Sequence, residues 1–207
     1  MSTLGVRPHE IPICWVEGLL STIYDVFLDQ IVDGQIYTKG TGERDPAREH
    51  WTRLHELNLA QNALLVFDRG YYSKELYEDL VSDGCHVLMR LNKGNHLTRL
   101  GSDDFSWTAA STDGKPVLYR VVRVPMPEQS NEEAEYLVTN ITDPSISPAL
   151  LYNLYFERWN IETKYRELKE WWELEEFTGT SCNSIEQELY INLLFSNLAV
   201  SHWGQTL

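Results

Sequence analysis

Apolar and polar positions along this chain change period several times, and each change marks a predicted element. Gly18 to Tyr37 (GLLSTIYDVFLDQIVDGQIY) is rich in Ile, Val, Tyr and Phe and is interrupted near Leu28-Asp29-Gln30, which predicts a strand hairpin. A polar loop follows. Asp45 ahead of Pro46 has the form of an N-cap with proline at the first helical position, so Ala47 to Leu57 is expected to be helical. The run ALLVF, Ala63 to Phe67, is short, apolar and bounded by polar residues, as expected of a buried strand. After Asp68-Arg69-Gly70-Tyr71-Tyr72, a helix is expected over Ser73 to Val81 and a second apolar strand over Cys85 to Leu91. Together these make a strand, helix, strand unit.

The signals weaken over Asn92 to Asp113, which predicts loop and short irregular pieces. Val117 to Val124 and Glu135 to Thr139 are β-rich, are separated by the polar stretch PMPEQSNEE, and predict an antiparallel pair. Ser147 before Pro148 is a second N-cap with proline, and opens a helix expected to run to about Glu173. Ser184 with Gln187 resembles a capping box for a last apolar helix reaching about Trp203. Within Met1 to Glu17 the pattern offers only a short strand at Ile11 to Val16.

Two places along this pattern carry candidate chemistry. Tyr155, Arg158, Glu162 and Lys169, in YFERWNIETKYRELK, are offset by three, seven and fourteen residues. On one helix these fall within an arc of about 60°. A carboxylate beside a guanidinium, a phenol and an ammonium suits a metal and a phosphate. Asp68, at the C-terminal end of a predicted strand, lies where open α/β sheets place ligand-binding groups, next to a glycine that allows close approach. Plainer readings stand beside these. Asp68 would cap the following helix, Tyr155 would sit at a core edge, and Arg158 and Lys169 would be surface charges pairing with a solvated Glu162. His50 and His55, five residues apart, share no helix face and make no zinc pair, and Trp171-Trp172 is expected to pack in the core. No phosphate-binding glycine loop and no G-x-S-x-G elbow occurs.

Composition narrows the picture. A chain of 207 residues with 43% hydrophobic residues is large enough to bury a sizeable core as one domain, or as one domain with an insertion. The net charge of −14 argues against wrapping nucleic acid through bulk charge, so any basic groups that meet DNA must be local. Cys14, Cys85 and Cys182 are odd in number and lack a C-x-x-C spacing, which points to a reducing, cytoplasmic setting rather than a disulfide framework or a zinc site. No secretory leader pattern and no apolar run of about eighteen residues is present, so a membrane partner is not expected.

Taken as a set, the motifs are familiar. The spacing Tyr155-x2-Arg158-x3-Glu162-x6-Lys169 resembles the signature of DDE transposases of the insertion-sequence-4 family. The approach EYLVTNITDP, the pair Arg158-Trp159 and Ile161-Glu162 are similar to that family too. LLVFDRGYYS resembles its second catalytic aspartate block, and STIYDVFLDQIVD the strand pair before it. The resemblance runs from about Gly18 to Trp203.

It implies an α/β, RNase H-like mixed sheet with flanking helices, spanning 1–207 as a partial catalytic domain with a β-rich insertion at about 115–141. Asp68 and Glu162 would be catalytic, metal-binding carboxylates for Mg2+ or Mn2+, and Tyr155, Arg158 and Lys169 would hold a double-stranded DNA end. The reaction implied is strand cleavage by water and then attack of the freed 3′ hydroxyl on target DNA, with nucleoid association when bound. The family's first catalytic aspartate lies on a central strand that has no counterpart here, and Asp25, Asp29 and Asp33 match the hairpin instead. The expectation is therefore a truncated transposase, inactive unless another chain supplies that residue. Two alternatives are a DNA-end-binding or dimerisation fragment that partners itself or a full-length transposase, and a nuclease improvising with Asp25.

Overall fold

The computed structural model describes residues 2–6, 16–100, 102–126, 133–172, 174, 177–179 and 181–203. The chain divides into two compact units, Met1–His50 with Trp159–Leu207, and Trp51–Arg158.

The first unit is built on a three-stranded antiparallel sheet of order β1 (Ser2–Val6), β2 (Val16–Asp25), β3 (Gln30–Thr38). The expected hairpin is present, with Leu20 opposite Ile36 and an irregularity between Ile23 and Tyr24. Its turn is closed by Asp25, whose Oδ1 accepts from the N–H groups of Phe27 and Leu28 at 2.9 and 3.0 Å. Asp29 takes the left-handed conformation (φ 54°), which short polar side chains tolerate better than most. β1 has no forerunner in the hydrophobic pattern. Most of the strand expected at Ile11 to Val16 lies outside the described residues, and β2 takes up its last position.

Leu20 and Ile31 from the hairpin meet Leu168 of α4 (Asn160–Glu170), Leu174, Phe177, and Leu189 and Leu193 of α5 (Cys182–Trp203) in one core. Side-chain amides finish the docking. Asn197 on α5 accepts from the Ile31 N–H at 2.9 Å and donates to its carbonyl at 2.8 Å, supplying both bonds a further strand would have made. Gly34 lets α5 approach closely, since a Cβ there would lie 2.7 Å from Cδ1 of buried Leu193 and that side chain would have to shift. The α5 capping box forms one turn earlier than expected, between Ser181 and Ser184 rather than Ser184 and Gln187. Ser181 Oγ accepts from Ser184 N–H at 3.2 Å, and Ser184 Oγ accepts from Ser181 N–H at 3.1 Å.

The second unit holds a mixed five-stranded sheet of order β4 (Leu64–Phe67), β5 (His86–Arg90), β8 (Ala134–Thr139), β7 (Pro116–Pro125), β6 (Asp104–Ala110). β4 and β5 are parallel and joined through α2 (Lys74–Ser82), as the strand, helix, strand pattern requires; the other pairs are antiparallel. β7 and β8 pair as expected, and β8 continues directly onto β5, with Met89 opposite Val138. β6 falls where only loop and irregular pieces were expected. Its residues DFSWTAA alternate between exposed and half-buried, the period-two signal of an edge strand, diluted by the Ser and Ala that make it weakly apolar.

Each face of this sheet has its own cover. Tyr77 of α2 stacks on Tyr119 of β7 at 4.6 Å between ring centroids, and its hydroxyl donates to the Leu118 carbonyl at 2.8 Å. α3 (Pro148–Glu157) supplies Leu151 and Tyr155 to a core with Leu88, Val122 and Leu137. Both helix starts are capped by serine: Ser73 accepts from Leu76 N–H and Ser147 from Leu150 N–H. α1 (Arg44–Glu56) begins before its expected start, so Asp45 and Pro46 lie in its first turn and Asp45 is not the cap.

Candidate functional site

β4 ends at Phe67, which leaves Asp68 at the C-terminal edge of the parallel pair. Three groups of the second unit converge there. The Tyr155 hydroxyl, from the last turn of α3, donates to Asp68 Oδ1 at 2.9 Å. Arg158 Nη2 stands 3.8 Å from the same oxygen, and its guanidinium carbon lies 5.5 Å from the Tyr155 ring centre. Arg90, at the end of β5, adds a second positive charge felt at Asp68 and is itself bound to Glu135 Oε1 at 2.6 Å.

Burial alone would push the Asp68 carboxyl up, but the Arg69 N–H, the Tyr155 hydroxyl and the charges of Arg158 and Arg90 outweigh it. The carboxyl is held below its usual range. Asp68 is thus an ionised, half-exposed oxygen donor at neutral pH. Tyr155, only 2% exposed, has its phenol pushed up to about 12 by burial and then by the Asp68 charge, so it stays a donor. The plainer reading of Asp68 as a helix cap does not hold, since Ser73 takes that role.

The single helix expected to carry Tyr155, Arg158, Glu162 and Lys169 is two helices. α3 ends at Glu157 and α4 starts at Asn160. Arg158 and Trp159 keep helical dihedrals, but the bonds tighten to three-residue spacing there, Arg158 N–H to Tyr155 carbonyl at 3.2 Å and Glu162 N–H to Trp159 carbonyl at 3.0 Å. Such turns advance about 120° per residue instead of 100°. Tyr155 and Arg158 stand with Asp68 in the second unit. Glu162, exposed in the first turn of α4, and Lys169, in its last turn, belong to the first.

Two polar clusters escape the sequence pattern. Lys164 on α4 is buried, with its ammonium 3.3 Å from Asp29 Oδ1 and 3.6 Å from Glu167 Oε2. Asp29 also accepts from the Tyr24 hydroxyl at 2.6 Å, and Tyr165 bonds to Thr22 at 2.6 Å, so α4 is tied to the hairpin at two points. His50 of α1 lies between Asp33 Oδ2, 2.5 Å from Nδ1, and Ser21 Oγ, 2.9 Å from Nε2. The order Ser, His, Asp is that of a hydrolase relay, but Ser21 and His50 are 4% and 2% exposed, so the cluster pins α1 to the hairpin instead of meeting a substrate. A polar residue facing a helix polar residue across an otherwise apolar contact was the available signal; it needs the pairing to be visible. Trp171, expected in the core, is exposed, while Trp172 stacks on Phe195.

Among the described residues, no group of three or more His, Cys, Asp or Glu is arranged to hold a metal ion, and no helix is long and apolar enough to cross a membrane.

A mixed α/β architecture with an ionised aspartate at a strand end, backed by a tyrosine and an arginine, defines a protein able to present a hard oxygen ligand beside cationic groups. Residues 15–198 match the Transposase DDE domain, and the chain belongs to that family. The transposase InsG for insertion sequence element IS4 of Escherichia coli (strain K12) is 29% identical over 154 residues, which is 66% of this chain and 34% of that relative. The chain spans about a third of the length of the curated relative it matches.

Proposed function

We propose that the chain takes part in DNA transposition as a portion of an RNase H-like catalytic core, with Asp68 and Glu162 as two carboxylates of a DDE site. The observation that carries this is Asp68, at the end of β4 and held ionised by Tyr155 and Arg158 within the block that matches the family. Ionised carboxylates are the donors a magnesium or manganese ion takes, so the chemistry of Asp68 and Glu162 fits such an ion. Bound there, the metal would activate water or a 3′ hydroxyl and stabilise charge on the scissile phosphate.

The chain's own side chains do the rest. Tyr155 fixes the Asp68 carboxylate by its donated bond, and Arg158 balances its charge and offers guanidinium N–H groups to a DNA phosphate. Lys169 adds a point charge two turns along α4 from Glu162. The third carboxylate comes from outside these residues. With Mg2+ and duplexes carrying the element's ends, the isolated chain is expected not to nick DNA, while Asp68→Asn or Glu162→Gln in an intact transposase abolishes cleavage and leaves end binding within about threefold. Nicking by the isolated chain would remove the claim about the third carboxylate, and full activity of both variants would remove the site.

Tyr155 and Arg158 beside Asp68 are groups that can hold a phosphate whether or not it reacts, which favours one second reading, a non-catalytic fragment that binds DNA ends or joins a full-length transposase. It predicts co-purification with that enzyme and inhibition of transposition in cells. Neither effect being seen rejects it.

A further inference from the structure

In the second unit, Phe105, Trp107, Tyr119 and Tyr77 lie in one column of rings that the proposed chemistry does not use. β6 and β7 set Trp107 directly opposite Tyr119, and the alternation of strand faces puts Phe105 on the same side. Phe105 stacks on Trp107 at 5.3 Å between ring centres and 14° between planes, and Trp107 on Tyr119 at 4.9 Å and 9°. Tyr119 in turn stacks on Tyr77 of α2 at 4.6 Å and 24°. The column runs from the surface inward: Phe105 and Trp107 are partly exposed on the edge strand, whereas Tyr119 and Tyr77 are buried.

Apolar packing explains why these rings meet, but it does not call for a carboxylate at this depth. Glu78 of α2 is 3% exposed, and its Oε1 accepts from the Tyr119 hydroxyl at 2.9 Å. Glutamate is rarely buried to this extent without a partner, and here the exposed Lys74 side chain brings its ammonium within 3.6 Å of the same oxygen. A carboxylate can take the proton of a phenol. The Leu118 carbonyl, which accepts from Tyr77 at 2.8 Å, cannot. Of the two stacked phenols, Tyr119 is therefore the one whose proton has somewhere to go. Burial, and then the bond to Glu78, raise its phenol above the usual range, so at neutral pH the proton leaves only together with an electron.

We propose that Trp107, Tyr119 and Glu78 form a relay that draws an oxidising equivalent off the edge of the sheet and stores it on Tyr119. A small radical oxidant takes one electron from the Trp107 indole and becomes its anion. Tyr119 passes an electron across the 4.9 Å stack to the indole radical cation, which restores Trp107, while the hydroxyl proton moves to Glu78 Oε1. The products are a neutral phenoxyl at Tyr119 and a neutral carboxyl at Glu78. A thiolate in solution later returns one electron, becoming a thiyl radical, and the proton goes back from Glu78 to the Tyr119 oxygen. The partly exposed indole is spared permanent oxidation.

Azide radical, generated by pulse radiolysis over the 207-residue chain, oxidises indoles and serves as the probe. Exposed Trp159 and Trp171 react too, so the signal of the stack is the component that Trp107→Phe removes. That component is expected to show indole radical decaying as phenoxyl grows, at a rate unchanged by dilution. Tyr119→Phe abolishes it. Glu78→Gln, which still accepts the hydroxyl but not its proton, slows it at least about tenfold, and Tyr77→Phe leaves it within about twofold. Unchanged circular dichroism spectra are expected for all four variants, and should Tyr119→Phe fail to fold, Glu78→Gln decides alone. Peptide mapping after steady exposure to the radical is expected to find more oxidised Trp107 in Glu78→Gln than in the parent chain. No component lost in Trp107→Phe, an unslowed Glu78→Gln, a component that survives Tyr119→Phe, or one that Tyr77→Phe abolishes each overturns the relay.

Discussion

Tyr155→Phe removes one hydroxyl from a buried ring and tests how Asp68 is kept ionised. An aspartate held below its usual range when folded stabilises the fold above that range, and the contribution is lost as pH falls through its folded value. The substitution raises that value, so the carboxyl titration followed by carbon-13 NMR is expected to move to higher pH, and acid unfolding to begin earlier. Because Asp68 is half exposed, the cost at neutral pH is about 1 kcal/mol or less; an unmoved titration would show that the bond contributes nothing. The phenols carry the opposite sign. Tyr155 and Tyr72 are both pushed up to about 12, burial being the first cause, so their stabilisation is complete below the ordinary phenol range and fades as pH climbs through about 12. Ultraviolet absorbance of the phenolates is expected to show these rings ionising together with alkaline unfolding, well after exposed tyrosines. Asp68 itself was legible because its neighbours in sequence form a strand end. Its partners Tyr155 and Arg158 were legible as residues and illegible as its partners, since they come from almost ninety positions away.

Elements with an internal period were readable, and elements defined by contact were not. The hairpin, β4, α2 and β5 follow from runs of apolar residues and serine or glycine punctuation. The break between α3 and α4 leaves no mark, because neither Arg158 nor Trp159 is a helix breaker and both keep helical dihedrals. Lys164 was hidden for a related reason: a lysine in a helix looks solvated until its partners are known. Asp29→Asn leaves Lys164 buried with Glu167 as its remaining counter-charge among the described residues, and is expected to cost about 1–2 kcal/mol in chemical denaturation. Lys164→Met added to it is expected to recover most of that loss, and a purely additive double variant would show that the pair is not coupled. Where β3 and α5 touch, Gly34→Ala is expected to cost about 1–3 kcal/mol by overpacking against Leu193; a neutral result would mean that Leu193 moves aside freely.

At the scale of the molecule, each unit has an apolar cluster of its own among the described residues, one gathering Leu20, Ile31, Leu168, Leu189 and Leu193 and the other Leu88, Val122, Leu137 and Leu151. Leu193→Ala and Leu137→Ala, each costing about 2–5 kcal/mol locally, are expected to lower hydrogen-exchange protection in their own unit first. Equal loss across both units would mean that the cores melt as one. Their arrangement along the chain also bears on synthesis. The second unit is one uninterrupted stretch, Trp51–Arg158, so all of its strands and helices have left the ribosome once α3 has. The first unit is split, and its hairpin must wait for α4 and α5. At roughly 5–20 residues per second, Ile31 emerges on the order of ten to thirty seconds before Leu193, the residue that will cover its neighbourhood. For that interval the nascent hairpin presents an apolar strand face with no partner of its own. The hairpin, made before the second unit, is completed after it, and the length of that unit sets how long the strand face waits.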